Sequence, residues 1–367
     1  MRILMTTDTV GGVWTFAQEL ATGLLRIGCD VCLVSIGEPP SRVRKESCDA
    51  MGRRSGNSFR YEAINAPLEW MQDNERAYRD AAPQLLQLVK EFGAELVHSN
   101  QFCFGALPID IPKIVTAHSD VFSWADACRN GVLERSGWLS RYSALVSKGL
   151  QEADTIVAPT QWMAASLHGH FPFSRKPNVI PNGRTLPSAQ DGPRKLQGIT
   201  AGRLWDEAKN ITILAAVDSP FQLFVAGHTR YGLASMTALL GNVTLLGPLS
   251  SDELFARFRE SALYICTSKY EPFGLAPLEA ALCGCAVLAY DIPALREVWD
   301  NGALYFHDAD SLTAQLHELR DAPGQLQAAR EASLPRARMF TAERMSDEYH
   351  RLFQRALIAS EGRLYAS

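Results

Sequence analysis

Short apolar, β-branched runs alternate with stretches of helical periodicity along nearly the whole chain. That alternation constrains the fold more than any other feature of the sequence. Residues 2–7 predict a strand, and Gly11-Gly12 a turn. A helix follows, with Ala17, Leu20, Ala21 and Leu24 at helical spacing and Gly28 closing it. A second strand is predicted at 31–36. A helix is predicted at 83–92, with Pro83 in its first turn. Strands at 96–99 and 114–117, a helix at 145–153, a strand at 155–158 and a helix at 161–167 continue the pattern.

After the turn Ile180-Pro181-Asn182-Gly183 a second set begins. Its strands are expected at 198–201, 221–226, 243–246, 263–267 and 286–290, with helices between. Strands joined through helices pair in parallel, and parallel sheets are covered on both faces. Two such sets in 367 residues predict an α/β protein of two Rossmann-like domains. The expected division is 1–183 and 184–340, with a hinge near 181–197. The remainder, 341–367, is expected to be a helix packing back on the first domain.

Composition narrows the function class. Hydrophobic residues make up 47% and charged ones 21%, as in soluble globular proteins. A net charge of -4 argues against an electrostatic nucleic-acid binder. The N-terminal apolar stretch is too short for a signal peptide, and no apolar run reaches membrane-helix length. Several of the eight cysteines, Cys29, Cys32, Cys266, Cys283 and Cys285, sit in apolar stretches. They read as buried thiols in a reducing, cytoplasmic setting. Cys29-x-x-Cys32 has the form of a redox or zinc motif, but no second pair stands at metal spacing. Segment 41–56 carries Arg42, Arg44, Lys45, Arg53 and Arg54 against Glu46 and Asp49. It reads either as a solvated loop or as a surface for an anionic acceptor or lipid head groups, a peripheral membrane contact.

Four clusters of residues carry chemistry, each at the C-terminal end of an expected strand, where open α/β sheets bind ligands. The most informative is Ser268-Lys269-Tyr270-Glu271-Pro272-Phe273-Gly274-Leu275-Ala276-Pro277-Leu278-Glu279. Gly274 permits close backbone approach, and Pro277 suits the first turn of a helix. Glu271 then lies in the loop and Glu279 in the first turn. Two carboxylate acceptors are thus spread along an extended ligand, with backbone N–H groups near them that favour phosphate. Alone, Glu279 would read as a helix-start carboxylate and Glu271 as a solvent-facing loop residue. In the second cluster, Gly202-Arg203-Leu204-Trp205-Asp206-Glu207-Ala208-Lys209, the two cations Arg203 and Lys209 suit a diphosphate clamp. Asp206 or Glu207 could pair with Lys209 instead. The third is Asp8-Thr9-Val10-Gly11-Gly12, a glycine pair before a helix with no dinucleotide fingerprint. In the fourth, His118 stands just past a strand in Thr116-Ala117-His118.

Together these residues resemble glycosyltransferase family 4. Glu271 and Glu279 match its Glu-x7-Glu motif around Phe273-Gly274-Leu275, and Gly202-Arg203 with Lys209 matches its Gly-Arg…Lys segment. Asp154-Thr155-Ile156-Val157-Ala158-Pro159-Thr160 and Val179-Ile180-Pro181-Asn182-Gly183 match segments ahead of its interdomain linker. The resemblance implies a GT-B fold with two sheets facing a central cleft, and a nucleotide-diphosphate sugar, UDP- or GDP-linked, as donor. The acceptor would be a sugar, a lipid-linked glycoconjugate or a small molecule. Arg203 and Lys209 would hold the diphosphate, Glu279 the ribose and Glu271 a donor-sugar hydroxyl. Phe273, Gly274 and Leu275 would offer backbone contacts, Gly12 would lie near the diphosphate, and His118 would touch the transferred sugar. Transfer with retention would follow by front-side attack, the departing phosphate taking the acceptor's proton. Three positions depart from the family pattern: Cys285, Arg296 and the Gly227-His228 turn.

No cofactor or metal is expected. Asp308-Ala309-Asp310 reads as a turn before a helix at 311–319, and His168-Gly169-His170 lacks a third ligand. Two other readings stay open: a sugar-nucleotide epimerase or phosphorylase on the same fold, and a non-catalytic nucleotide-sugar binder. Trp14, Phe102 and Trp124 either stack on sugar or lie in the core.

Overall fold

The computed structural model describes residues 1–185, 194–229 and 243–364. It divides into two compact units: 1–125, 132–183 and 342–367 form the first, and 126–131 with 184–341 the second.

In the first unit the strands are β1 (Arg2–Asp8), β2 (Asp30–Ile36), β3 (Phe59–Ile64), β4 (Leu96–Ser99), β5 (Lys113–Thr116), β6 (Thr155–Ala158) and β7 (Asn178–Val179). They pair in parallel in the order β3-β2-β1-β4-β5-β6-β7. Alternate side chains of one strand serve opposite faces. Ile3 and Met5 face a core with Phe16, Ala17 and Leu20 of helix α1 (Gly12–Arg26), while Leu4 faces a core with Leu85 and Val89 of α3 (Ala77–Phe92). The C-terminal helix Ala342–Leu364 completes the first of these faces with Tyr349 and Phe353.

The second unit holds β8 (Lys195–Ala201), β9 (Gln222–Ala226), β10 (Thr244–Gly247), β11 (Ser261–Cys266), β12 (Ala286–Tyr290) and β13 (Leu304–Phe306). These are also parallel, in the order β10-β9-β8-β11-β12-β13. Tyr264, Cys266 and Val287 face one core, and Leu263, Ile265 and Leu288 the other. Two parallel Rossmann-like sheets are therefore present, as the alternation predicts.

Several local expectations need correction. Segment 41–56 is not a loop: Arg42–Ser55 is a helix, α2, begun by Ser41, whose hydroxyl accepts from the Arg44 N–H. Its charges and single buried residue, Cys48, hid the helical signal. Pro83 lies inside α3 rather than in its first turn, because that helix begins at Ala77. Three strands escaped the sequence reading: β3, which is buried only at its two ends, and β7 and β13, which are two and three residues long. Trp14 and Phe102 lie in the core, so the stacking reading fails for both. Cys29 and Cys32 are buried thiols, and burial pushes Cys32 up to about 12. Asp308 caps the helix Ala309–Asp321, accepting from the Ser311 N–H at 2.7 Å. Among the described residues, no helix is long and apolar enough to cross a membrane, and no group of three or more His, Cys, Asp or Glu is placed to hold a metal ion.

Candidate active site

In the second unit the loops after β8 and β11 meet. Lys269 N–H donates to the Ala208 carbonyl at 2.8 Å, and Thr267 Oγ1 donates to the Lys209 carbonyl at 2.6 Å. This stitching brings Lys209 Nζ to 2.5 Å from Glu271 Oε2, which also accepts from Ser268 Oγ at 3.0 Å. The two side chains are only 20% and 16% exposed. Burial opposes the ammonium charge of Lys209. The Glu271 carboxylate outweighs that by attraction and hydrogen bonding, and holds the lysine above its ordinary range. The site therefore keeps a fixed cation at neutral pH.

Arg203 adds a second cation close enough for its charge to be felt at Lys209. Its guanidinium donates to Asp206 Oδ2 at 2.7 Å and lies over the Trp205 ring. Asp206 thus partners Arg203, and Glu207 pairs with Arg129, so neither takes Lys209 from Glu271. The β8 turn is held close to its neighbour. Gly227 follows β9 at φ +146, and a Cβ there would stand 1.8 Å from the Gly202 carbonyl oxygen.

Helices α4 (Val121–Arg129), α5 (Gly137–Glu152), α6 (Gln161–His170) and α7 (Ser251–Glu260) come earlier in the chain, and past Glu271 it turns into α8 (Leu275–Leu282). Gly274 precedes it at φ +90, where L side chains are strained. A Cβ there would meet Pro277 Cγ at 2.8 Å and Glu271 Cγ at 3.2 Å. The Phe273 ring is buried edge-on against Phe340, which leaves its backbone as the part that can serve a ligand. The first N–H groups of a helix such as α8 have no intrahelical partner, and with the helix dipole they attract anions.

Glu279 requires a correction. It is the fifth residue of α8, in the second turn, so a helix-start role is excluded. Its Oε1 lies 2.7 Å from Arg184 Nε, and both side chains are 12% exposed. Sequence reasoning missed Arg184. It stands in the expected linker, and nothing in a local pattern ties it to a helix 95 residues later.

In the first unit, β1 ends at Asp8, whose Oδ1 accepts from the Val10 N–H at 2.8 Å. Gly11 caps α1, and Gly12 is the first helical residue. His118 follows β5, with Nε2 2.8 Å from Asn100 Oδ1, while Asn100 Nδ2 donates to the Thr6 carbonyl at 2.6 Å. The amide oxygen only accepts, so His118 carries its proton on Nε2 and offers Nδ1 as an acceptor. Burial pushes His118 down to about 3, so the ring is neutral. Asn100 is held in turn by its loop: Glu69, buried, accepts from the N–H groups of Phe102 and Cys103 at 2.8 and 2.7 Å. Neither Asn100 nor Glu69 shows a signal in sequence beyond its place near a strand end.

Two adjacent cations, a carboxylate locked to one of them and a glycine-led helix start describe a site for a phosphorylated, hydroxyl-rich ligand. Known sequences agree. The profile of Glycosyltransferase Family 4 matches residues 10–186, and that of Glycosyl transferases group 1 matches residues 204–333. The chain belongs to glycosyltransferase family 4.

This glycosyltransferase is 23% identical to the alpha-maltose-1-phosphate synthase of Mycobacterium tuberculosis, over 89% of this chain and 90% of that one. It superposes on the sucrose-phosphate synthase of Thermosynechococcus elongatus with a TM-score of 0.80, at 17% identity, covering 98% of this chain and 100% of the other. It matches Anabaena HepE, solved in complex with UDP-glucose, with a TM-score of 0.74 at 15% identity, covering 96% and 99%. The fold of the family 4 enzyme is GT-B, with the Lys209–Glu271 pair and the Gly274 turn on the group 1 half of the chain.

Proposed function

We propose that this chain moves a glycosyl group from a UDP- or GDP-linked sugar to a sugar, a lipid-linked glycoconjugate or a small-molecule acceptor, with retention and without a metal ion. The observation that carries this reading is the Lys209–Glu271 pair, a cation fixed beside a carboxylate at the start of a glycine-led turn. When the glycosyl–phosphate bond breaks, negative charge develops on the leaving diphosphate. A preoriented ammonium stabilises that charge more in the transition state than in the ground state, which is what lowers a barrier.

Lys209 and Arg203 are assigned the diphosphate, with the backbone N–H groups around Gly274 and Leu275 beside them and Phe273 presenting its main chain. Glu271 is assigned a hydroxyl of the donor sugar. Its carboxylate, partnered by Lys209 and Ser268, has acceptor capacity for more than two donors. Glu279 is assigned the ribose. Gly12, at the start of α1, is assigned to the diphosphate, and His118, a neutral imidazole with an acceptor nitrogen, to a hydroxyl of the transferred sugar. The acceptor hydroxyl attacks from the face the diphosphate leaves, and its proton passes to the departing phosphate. HepE, solved with UDP-glucose, supports a nucleotide-sugar donor on this fold. Helix α2 exposes Arg42, Lys45, Arg53 and Arg54 beside Val43, itself 71% exposed. It is assigned a peripheral contact with anionic head groups on the cytoplasmic face of a membrane.

The experiment is a thermal-shift screen of nucleotide sugars, followed by turnover of the donor that binds, with and without a chelator. A donor that raises the melting temperature and is consumed equally in both conditions, with the anomeric configuration preserved in the product, supports the reading. Release of an isomerised sugar nucleotide would establish an epimerase, and binding without turnover on any acceptor a binding protein.

A further inference from the structure

Arg184 is a polar side chain beside the candidate site that the proposed chemistry leaves unused. Its main chain is fixed: Arg184 N–H donates to the Phe340 carbonyl at 3.0 Å, and Arg184 pairs with Thr341 as a parallel bridge. Its guanidinium reaches Glu279, with Nε 2.7 Å from Oε1, and lies 6.0 Å over the Phe255 ring. Both charges are 12% exposed. Sequestering an ion pair so far from water costs about as much as, or more than, the attraction returns, so stability is a poor account of why it is there. What such a pair does well is orient. Glu279 stands in the second turn of α8, on a short helix whose backbone is already committed, and its carboxylate would otherwise sample several rotamers. Arginine's planar fork fixes the plane of a carboxylate in a way that lysine's point charge does not. A carboxylate has about four lone-pair positions, so a guanidinium on one oxygen leaves capacity for hydroxyl donors.

We propose that Arg184 is the positioning residue that orients the Glu279 carboxylate to receive the ribose hydroxyls of the donor, and so sets the preference for a ribonucleotide over its 2′-deoxy counterpart. This inference rests on the donor reading above. Arg184 acts through Glu279, so its removal changes how well the vicinal hydroxyls are read and leaves the diphosphate contacts in place.

The test measures binding of UDP, GDP and their 2′-deoxy forms to the full chain by calorimetry, in the wild type, Arg184→Ala, Arg184→Lys and Glu279→Gln. The wild type is expected to prefer the ribo form of one diphosphate. Arg184→Ala is expected to weaken that form by about tenfold to a hundredfold, the range for one hydrogen bond to a charged group, and to leave the deoxy form within about threefold. The ribo-to-deoxy ratio then collapses, as it does in Glu279→Gln. Arg184→Lys restores the charge without the fork and recovers only part of the ratio. It also serves as the readout if Arg184→Ala does not fold. An unchanged ratio in Arg184→Ala, or full recovery in Arg184→Lys, overturns the orienting role while the donor reading stands. If the wild type binds neither diphosphate, the donor reading itself fails, and the inference fails with it.

Discussion

Replacing Lys209 with methionine removes the ammonium and keeps most of the stem. Two effects follow, and they are separable. The first is on folding. Glu271 loses the partner at 2.5 Å and keeps the Ser268 hydroxyl, on a side chain 16% exposed. A poorly solvated carboxylate left with one neutral donor costs about 1–3 kcal/mol. For a domain of this size that corresponds to a fall in Tm of about 2–4 °C for each kcal/mol. The second effect is on turnover. Losing one preoriented group that stabilises leaving-group charge costs about 3–4 kcal/mol of transition-state stabilisation, so kcat should fall by about 10² to 10³. Release of nucleoside diphosphate from the donor found in the thermal-shift screen measures this directly, at a temperature where circular dichroism shows the variant folded. Glu271→Gln alone and in combination completes the cycle. If the pair acts as a unit, the double variant is no worse than the worse single variant, and its Tm recovers towards wild type. Full turnover in Lys209→Met would refute the leaving-group role. Strict additivity of the two changes would refute the pairing.

Three further outcomes are expected. Gly227→Ala places a Cβ 1.8 Å from the Gly202 carbonyl oxygen at a backbone angle L residues avoid, so urea denaturation should show a loss of about 2–5 kcal/mol, and a loss under 1 kcal/mol would refute the close approach. Burial pushes both His98 and His118 down to about 3, so the unfolded chain takes up protons below pH 6.5 that the folded chain refuses. Stability should therefore fall as pH drops from 6.5 towards 3, by up to about 1.4 kcal/mol per pH unit for each ring. Glu69 and Asp120, raised by burial, act in the opposite sense, so the readout is the difference in slope between wild type and His98→Leu, and parallel curves would refute it. Finally, vesicles rich in phosphatidylserine should sediment the wild type at low salt and release it as salt rises, whereas Arg53→Glu with Arg54→Glu should stay in the supernatant; equal sedimentation of both would remove α2 as a membrane contact.

Much of the architecture was readable from the chain because most central strands are buried on two faces and so carry a short apolar run. Residues 96–99, 155–158 and 286–290 fall where the structure puts β4, β6 and β12. The edges were harder. Strand β3 is half-buried along its middle, and β13 is three residues long, too little for periodicity to register. Helix α2 buries one side chain and shows almost no apolar stripe. At the site, Lys209 and Glu271 could each be named from local motifs, yet which acid paired with which base could not. Asp206 and Glu207 are nearer to Lys209 in sequence, but Asp206 binds Arg203, Glu207 binds Arg129, and the loop stitching delivers Glu271 from 62 residues away. Arg184 illustrates the same limit, since only the fold reveals what a lone cation in a linker opposes.

The helix Ala342–Leu364 belongs to the unit that starts the chain. Its Tyr349 and Phe353 pack on Phe16 and His98, and Tyr349 meets the Thr116 hydroxyl across 233 residues of sequence. On a ribosome, residues 1–183 would emerge with one flank of their sheet bare and stay so until the helix Ala342–Leu364 was made. Residues 184–341, with both ends already adjacent at the Arg184–Thr341 bridge, would be free to condense first. The first unit, begun before the second, would thus settle after it, and a ribosome stalled anywhere between residues 184 and 342 would hold out an unfinished, sticky surface.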